Sequence, residues 1–70
     1  MESFKQWVVS NFSGKDTPEG DLAHDMAGDD LFPGGADHEA IRDYLIRRGA
    51  CEGALEAFER LWKRYRRTQR

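Results

Sequence analysis

Seventy residues, 39% hydrophobic and 34% charged, are the makings of one small domain, below the length at which a chain divides into two cores and too short for a deep catalytic cleft. The single cysteine, Cys51, has no partner for an internal disulfide, the segment from Met1 to Phe12 has no apolar run of signal-peptide length, and no stretch approaches the ~18 apolar residues of a membrane span, so a reducing, cytoplasmic location is expected. The net charge of −2 hides a division: residues 1–41 hold nine acids against two lysines (−7), and from Arg42 onward nine bases face four acids (+5).

The first apolar set is Phe4, Trp7, Val8 and Phe12, one stripe of a helix over about 4–12. Ser3 followed by Gln6 three residues on has capping-box spacing, and Gly14 is a suitable stop. A second helix over about 18–28 opens on Thr17-Pro18-Glu19: a capping hydroxyl, a proline whose missing N–H costs nothing at the first position, and an acid at the positive end of the dipole. Its inner side is expected to carry Leu22, Ala23, Met26 and Ala27, with Gly28-Asp29-Asp30 ending it.

Leu31-Phe32-Pro33-Gly34-Gly35 is turn chemistry bearing large apolar side chains, and Phe32 is expected to plug the core from a loop. Asp37 caps a third helix over about 38–48, with Ile41, Tyr44 and Leu45 inward, Arg47 and Arg48 in the last turn and Gly49 beyond it. The fourth helix, about 51–67, has Leu55, Phe58, Leu61, Trp62 and Tyr65 as its apolar stripe, opposite Arg60, Lys63, Arg64 and Arg67. No period-two pattern or internal repeat occurs, and the basic stretch from about Lys63 is a low-complexity tail. The expected fold is all-α, one domain over residues 1–70. Its core is Phe4, Trp7, Val8, Phe12, Leu22, Met26, Phe32, Ile41, Tyr44, Leu45, Leu55, Phe58, Leu61, Trp62 and Tyr65, with Trp62 central and meeting Trp7 across the bundle.

Several pieces in order resemble a known family: Ser3-Phe4-x-x-Trp7, Leu22-Ala23, Asp30-x-Phe32-Pro33, Ile41-x-x-Tyr44-Leu45, and Ala54-x3-Phe58-x3-Trp62-x2-Tyr65. Together, from Ser3 to Tyr65, they resemble the small bacterial YozE family. The resemblance implies a four-helix arrangement similar to a sterile alpha motif (SAM) domain, with no established function and no catalytic residues to transfer. The chain departs from the family pattern at Gly34-Gly35 and in its basic end, which puts any shared family surface in doubt.

Chemistry-bearing constellations are thin. Asp21, His24 and Asp25 share one side of a short helix, with Asp37 and His38 a loop later, but zinc needs three or four converging ligands, and these residues read as a solvated face. Cys51 lies at a helix N-terminus without a nearby histidine, a small half-buried residue beside a cap, and Ser3, Ser10 and Ser13 lack a base at recognisable spacing. Gly34-Gly35 lacks the lysine and frame of a phosphate-binding loop. No enzyme activity, metal, cofactor, small-molecule substrate or membrane is expected.

Surface charge is the remaining signal. Arg60, Lys63, Arg64, Arg66, Arg67 and Arg70 are six cations in eleven residues, suited to phosphate contacts or to complementing a helix C-terminus. Asp21, Asp25, Asp29, Asp30 and Glu39 form a candidate acidic surface. The expectation is an interaction module that binds a protein partner, or another copy of itself, through these surfaces. Nucleic-acid binding through Arg60, Lys63, Arg64 and Arg67 is the alternative, with Arg64 and Arg67 foremost.

Overall fold

Four helices and their connections make up the computed structural model, which describes residues 2–69: α1 (Phe4–Phe12), α2 (Pro18–Ala27), α3 (His38–Arg47) and α4 (Glu52–Thr68). The described residues contain no strand, as the absent period-two pattern predicted. Ser3 Oγ accepts from the Gln6 N–H at 3.2 Å while Gln6 Oε1 accepts from the Ser3 N–H at 3.1 Å, completing the capping box. Thr17 Oγ1 accepts from the Gly20 N–H at 3.0 Å and Asp37 Oδ1 from the Ala40 N–H at 2.9 Å. Gly14 and Gly49 take φ values of 84° and 79° just past α1 and α3, the left-handed turn that terminates a helix with little strain.

Two helices end one residue sooner than predicted, because Gly28 and Arg48 are themselves the C-caps. The basic stretch from Lys63 forms the end of α4, which runs from Glu52 through Thr68, each end one residue later than predicted. Arg70 lies outside the described residues.

The core joins all four helices and the α2–α3 loop. Phe4, Val8, Met26, Ile41, Phe58 and Leu61 are wholly enclosed, and Phe32 enters from its loop edge-on to Tyr44, ring centroids 5.5 Å apart. The predicted inner faces need several changes. Ala57 is buried one turn before Leu61, whereas Leu55, at the edge of the stripe, is only half-buried. Ala27 is exposed, because α2 packs only on α1 and α4, which leave part of its surface uncovered, and not on α3. Tyr44, Trp62 and Tyr65 are half-buried. Finally, Trp62 is not central and does not stack on Trp7, because Tyr65 stands between them, 5.7 Å from Trp7 and 5.5 Å from Trp62.

One close approach positions the turn between α1 and α2. A Cβ on Gly20 would lie 1.9 Å from the carbonyl oxygen of Lys15, so the first turn of α2 is pressed against the Lys15 backbone with no side chain between. The Lys15 N–H also donates to the Phe12 carbonyl at 3.2 Å. Lys15 is thus held at a defined place beside the end of α1.

Candidate interaction surface

The predicted basic residues of α4 have separate surroundings. Arg60 donates from Nε at 2.9 Å and Nη2 at 2.6 Å to Oε1 of Glu19, bridging α4 to the first turn of α2. Arg64 lies over the ring of Phe12, its guanidinium carbon 5.2 Å from the centroid. Lys63, Arg66 and Arg67 are exposed, and no carboxylate among the described residues is within salt-bridge distance of them. Lys15, in the acidic half of the chain, also stands over Phe12, its Nζ 5.6 Å from the centroid. Sequence reasoning missed Lys15, and the meeting with Arg64 depends on packing between distant segments that no local pattern encodes.

The predicted acidic surface is also divided. Asp21, Asp25 and Asp30 are exposed. Asp29 is drawn inward: its Oδ2 accepts from the Tyr44 phenol, its Oδ1 from the Leu31 N–H at 3.0 Å, and its backbone carbonyl from Lys5 Nζ at 3.0 Å. The Tyr44 hydrogen bond, more than any other influence, holds the Asp29 carboxyl below the usual carboxylate range, against burial, and the same bond raises the Tyr44 phenol above its ordinary value. Glu39 sits on the outer side of α3 near Ile46, which is 50% exposed.

Two further features occupy other faces. His38 stacks on Phe58 with centroids 5.1 Å apart and donates from Nε2 to Glu59 Oε1 at 2.7 Å, while Arg42 donates to Glu59 Oε2 at 3.0 Å, so Glu59 joins α4 to α3. An open groove of about 670 Å³ runs between the C-terminal ends of α2 and α3 and the start of α4, with Met26, Phe32 and Leu45 in its floor and His24, Asp25 and Cys51 on its rim. Cys51 is exposed, not half-buried, because it is the N-cap of α4 and its side chain makes no capping hydrogen bond. Among the described residues no three His, Cys, Asp or Glu side chains gather as a metal site, and His24 and His38 lie on different faces.

Residues 3–67 match the pattern of the family described as YozE SAM-like fold. The chain belongs to that family. No curated protein and no solved structure matches it at a significant level. Most of the positions that carry the YozE resemblance are scaffold: Phe4, Trp7, Leu22, Ala23, Phe32, Ile41, Leu45 and Phe58 are buried, and Tyr44, Trp62 and Tyr65 pack against that core. The charged groups on the outside of this YozE SAM-like bundle, Lys15, Arg64 and Arg67 among them, fall outside those motifs. No helix among the described residues is long and apolar enough to cross a membrane.

Proposed function

We propose that this chain is a cytoplasmic, non-enzymatic interaction module that associates with a protein, either a foreign partner or a second copy of itself, through its charged helix surfaces. The observation that carries the reading is the set of α4 cations left without acidic partners, Lys63, Arg66 and Arg67, in a molecule whose outward α2 face carries Asp21 and Asp25. Where α2 and α4 meet within the molecule, an acid and a base have already paired, as Glu19 and Arg60. The same complementarity between two molecules supplies steering and register. Such a contact joins unlike surfaces and grows into chains or rings.

Nucleic-acid binding is the second reading, favoured by four cations between Lys63 and Arg67 on one helix end. Against it, Phe12 beneath Arg64 is only 6% exposed, which leaves no open ring there for base stacking.

Sedimentation of wild type, of Arg64→Glu with Arg67→Glu, and of Asp21→Lys with Asp25→Lys tests the first reading. Each reversed pair is expected to abolish self-association, and mixing the two variants is expected to restore it. For a foreign partner, captured by the wild-type protein, only one reversed pair should release it. Oligonucleotide binding at physiological salt that only the arginine changes abolish would transfer the assignment to nucleic acid.

A further inference from the structure

We propose that Lys15, Arg64 and Arg67 act together as a receptor for the carboxylates of an acidic protein segment, assembled on the ring of Phe12 at the α1–α2 turn. This rests on the interaction reading above and gives its basic surface a specific ligand chemistry and an additional residue.

Two cations from distant parts of the chain come to one ring, Lys15 Nζ at 5.6 Å and the Arg64 guanidinium at 5.2 Å from its centroid. The ring is an immobile support, because Phe12 is buried and packs edge-on against Trp7 at 5.6 Å. Lys15 is equally fixed at its backbone, by the hydrogen bond to Phe12 and the contact with Gly20. Neither cation has a carboxylate within salt-bridge distance among the described residues. The negative face of an aromatic ring offsets only part of the repulsion between two like charges, and a bound anion relieves the rest. Arg67 follows Arg64 by three positions, so it lies one turn further along the same side of α4 and extends the positive strip.

The neighbouring turn of α4 indicates which anion fits. Arg60, four residues before Arg64 on that side, takes the Glu19 carboxylate through two donors. Arg64 and Arg67 repeat the same donor chemistry where no internal acid reaches. Glu19, held against Arg60, and Asp16, next in sequence to Lys15, lie beside the strip and limit the favourable region to a short length. A segment carrying a few acidic side chains fits that length, whereas a continuous phosphate backbone crossing toward α2 meets like charge.

A labelled glutamate octapeptide and an oligothymidylate of similar charge, titrated by fluorescence anisotropy at low salt, are the probes. The peptide is expected to bind more tightly than the oligonucleotide. Lys15→Glu and Arg64→Glu should each weaken it by about three- to tenfold, and Lys15→Gln by less. Arg47→Glu, an exposed reversal on α3, which packs on neither α1 nor α2, should leave peptide affinity within about twofold. Matching thermal melts separate lost binding from lost folding. Wild-type affinity in folded Lys15→Glu, or tighter binding of the oligonucleotide, overturns the receptor. If the peptide fails to bind while the reversed-charge mixture still associates, the receptor falls and the interaction reading stands. If both fail, both are wrong.

Discussion

Tyr44 on α3 donates its phenolic hydrogen to Asp29 in the turn after α2, and Arg48 donates to the same phenol oxygen at 3.0 Å. Because α2 and α3 do not pack on one another, this network ties the end of α2 to α3 at the mouth of the groove. The Lys5 ammonium adds α1 through the Asp29 carbonyl.

The two partners respond to pH in opposite ranges. Asp29 has its folded-state pKa depressed, so its contribution to stability is complete above the unfolded value of about 3.9 and is lost as pH falls through the lower folded value. Tyr44 has its folded-state pKa raised, so its contribution is complete below about 10 and is lost as pH rises through the higher folded value. The melting-temperature gap between wild type and Tyr44→Phe should be constant through neutral pH and narrow at both extremes. A gap that stays unchanged in acid would show that the Asp29 bond does not contribute.

Burial ranks the aromatic residues of α4 differently from their size. Phe58 is wholly enclosed, edge-on to Phe4 at 5.6 Å, whereas Trp62 keeps part of its ring in water. Phe58→Ala should cost about 3–5 kcal/mol, near the whole stability of so small a domain, and Trp62→Ala distinctly less. Chemical denaturation of both variants checks the order, and a more stable Phe58→Ala would refute it.

Adding one carbon at Gly20 should be disproportionately harmful. The new Cβ meets the Lys15 carbonyl, which is backbone and cannot rotate aside, so Gly20→Ala is expected to lose about 1–3 kcal/mol despite the better helix propensity of alanine. A variant as stable as wild type by thermal melting would mean that the turn yields freely.

Glu59 should matter more than its position on a partly wet surface implies. It accepts from both His38 and Arg42, so Glu59→Ala removes two ties between α3 and α4 and should cost about 0.5–1.5 kcal/mol. Asp43→Ala, which breaks the exposed pair with Arg47, should change stability by about 0.5 kcal/mol or less. Equal losses in the two variants would count against a special role for the Glu59 node.

Helix ends were readable because capping is local. Ser3, Thr17 and Asp37 each serve an N–H three residues away, and Gly14 and Gly49 are punctuation that needs no tertiary partner. The enclosed stripe was readable for the same reason. Half-burial of Trp62 was not, since periodicity tells which side of a helix is apolar but not how far neighbouring helices wrap around it. Asp29 read as one of five surface acids because its main partner, Tyr44, lies fifteen residues on in another helix. Most of the basic surface was visible as composition, yet the pairing of Arg60 with Glu19 and the gathering of Lys15 and Arg64 at Phe12 arise only on folding.

Phe4 is 1% exposed, and the rings that pack around it, Phe58, Trp62 and Tyr65, all belong to α4. During synthesis from the N-terminus, α1 therefore leaves the ribosome with Phe4 uncovered and waits for α4, some forty residues on, before its pocket can close. A nascent chain halted before α4 presents a bare aromatic stripe, the kind of surface that aggregates or is taken up by chaperones. Emergence of α4 is therefore the event that commits this bundle to fold.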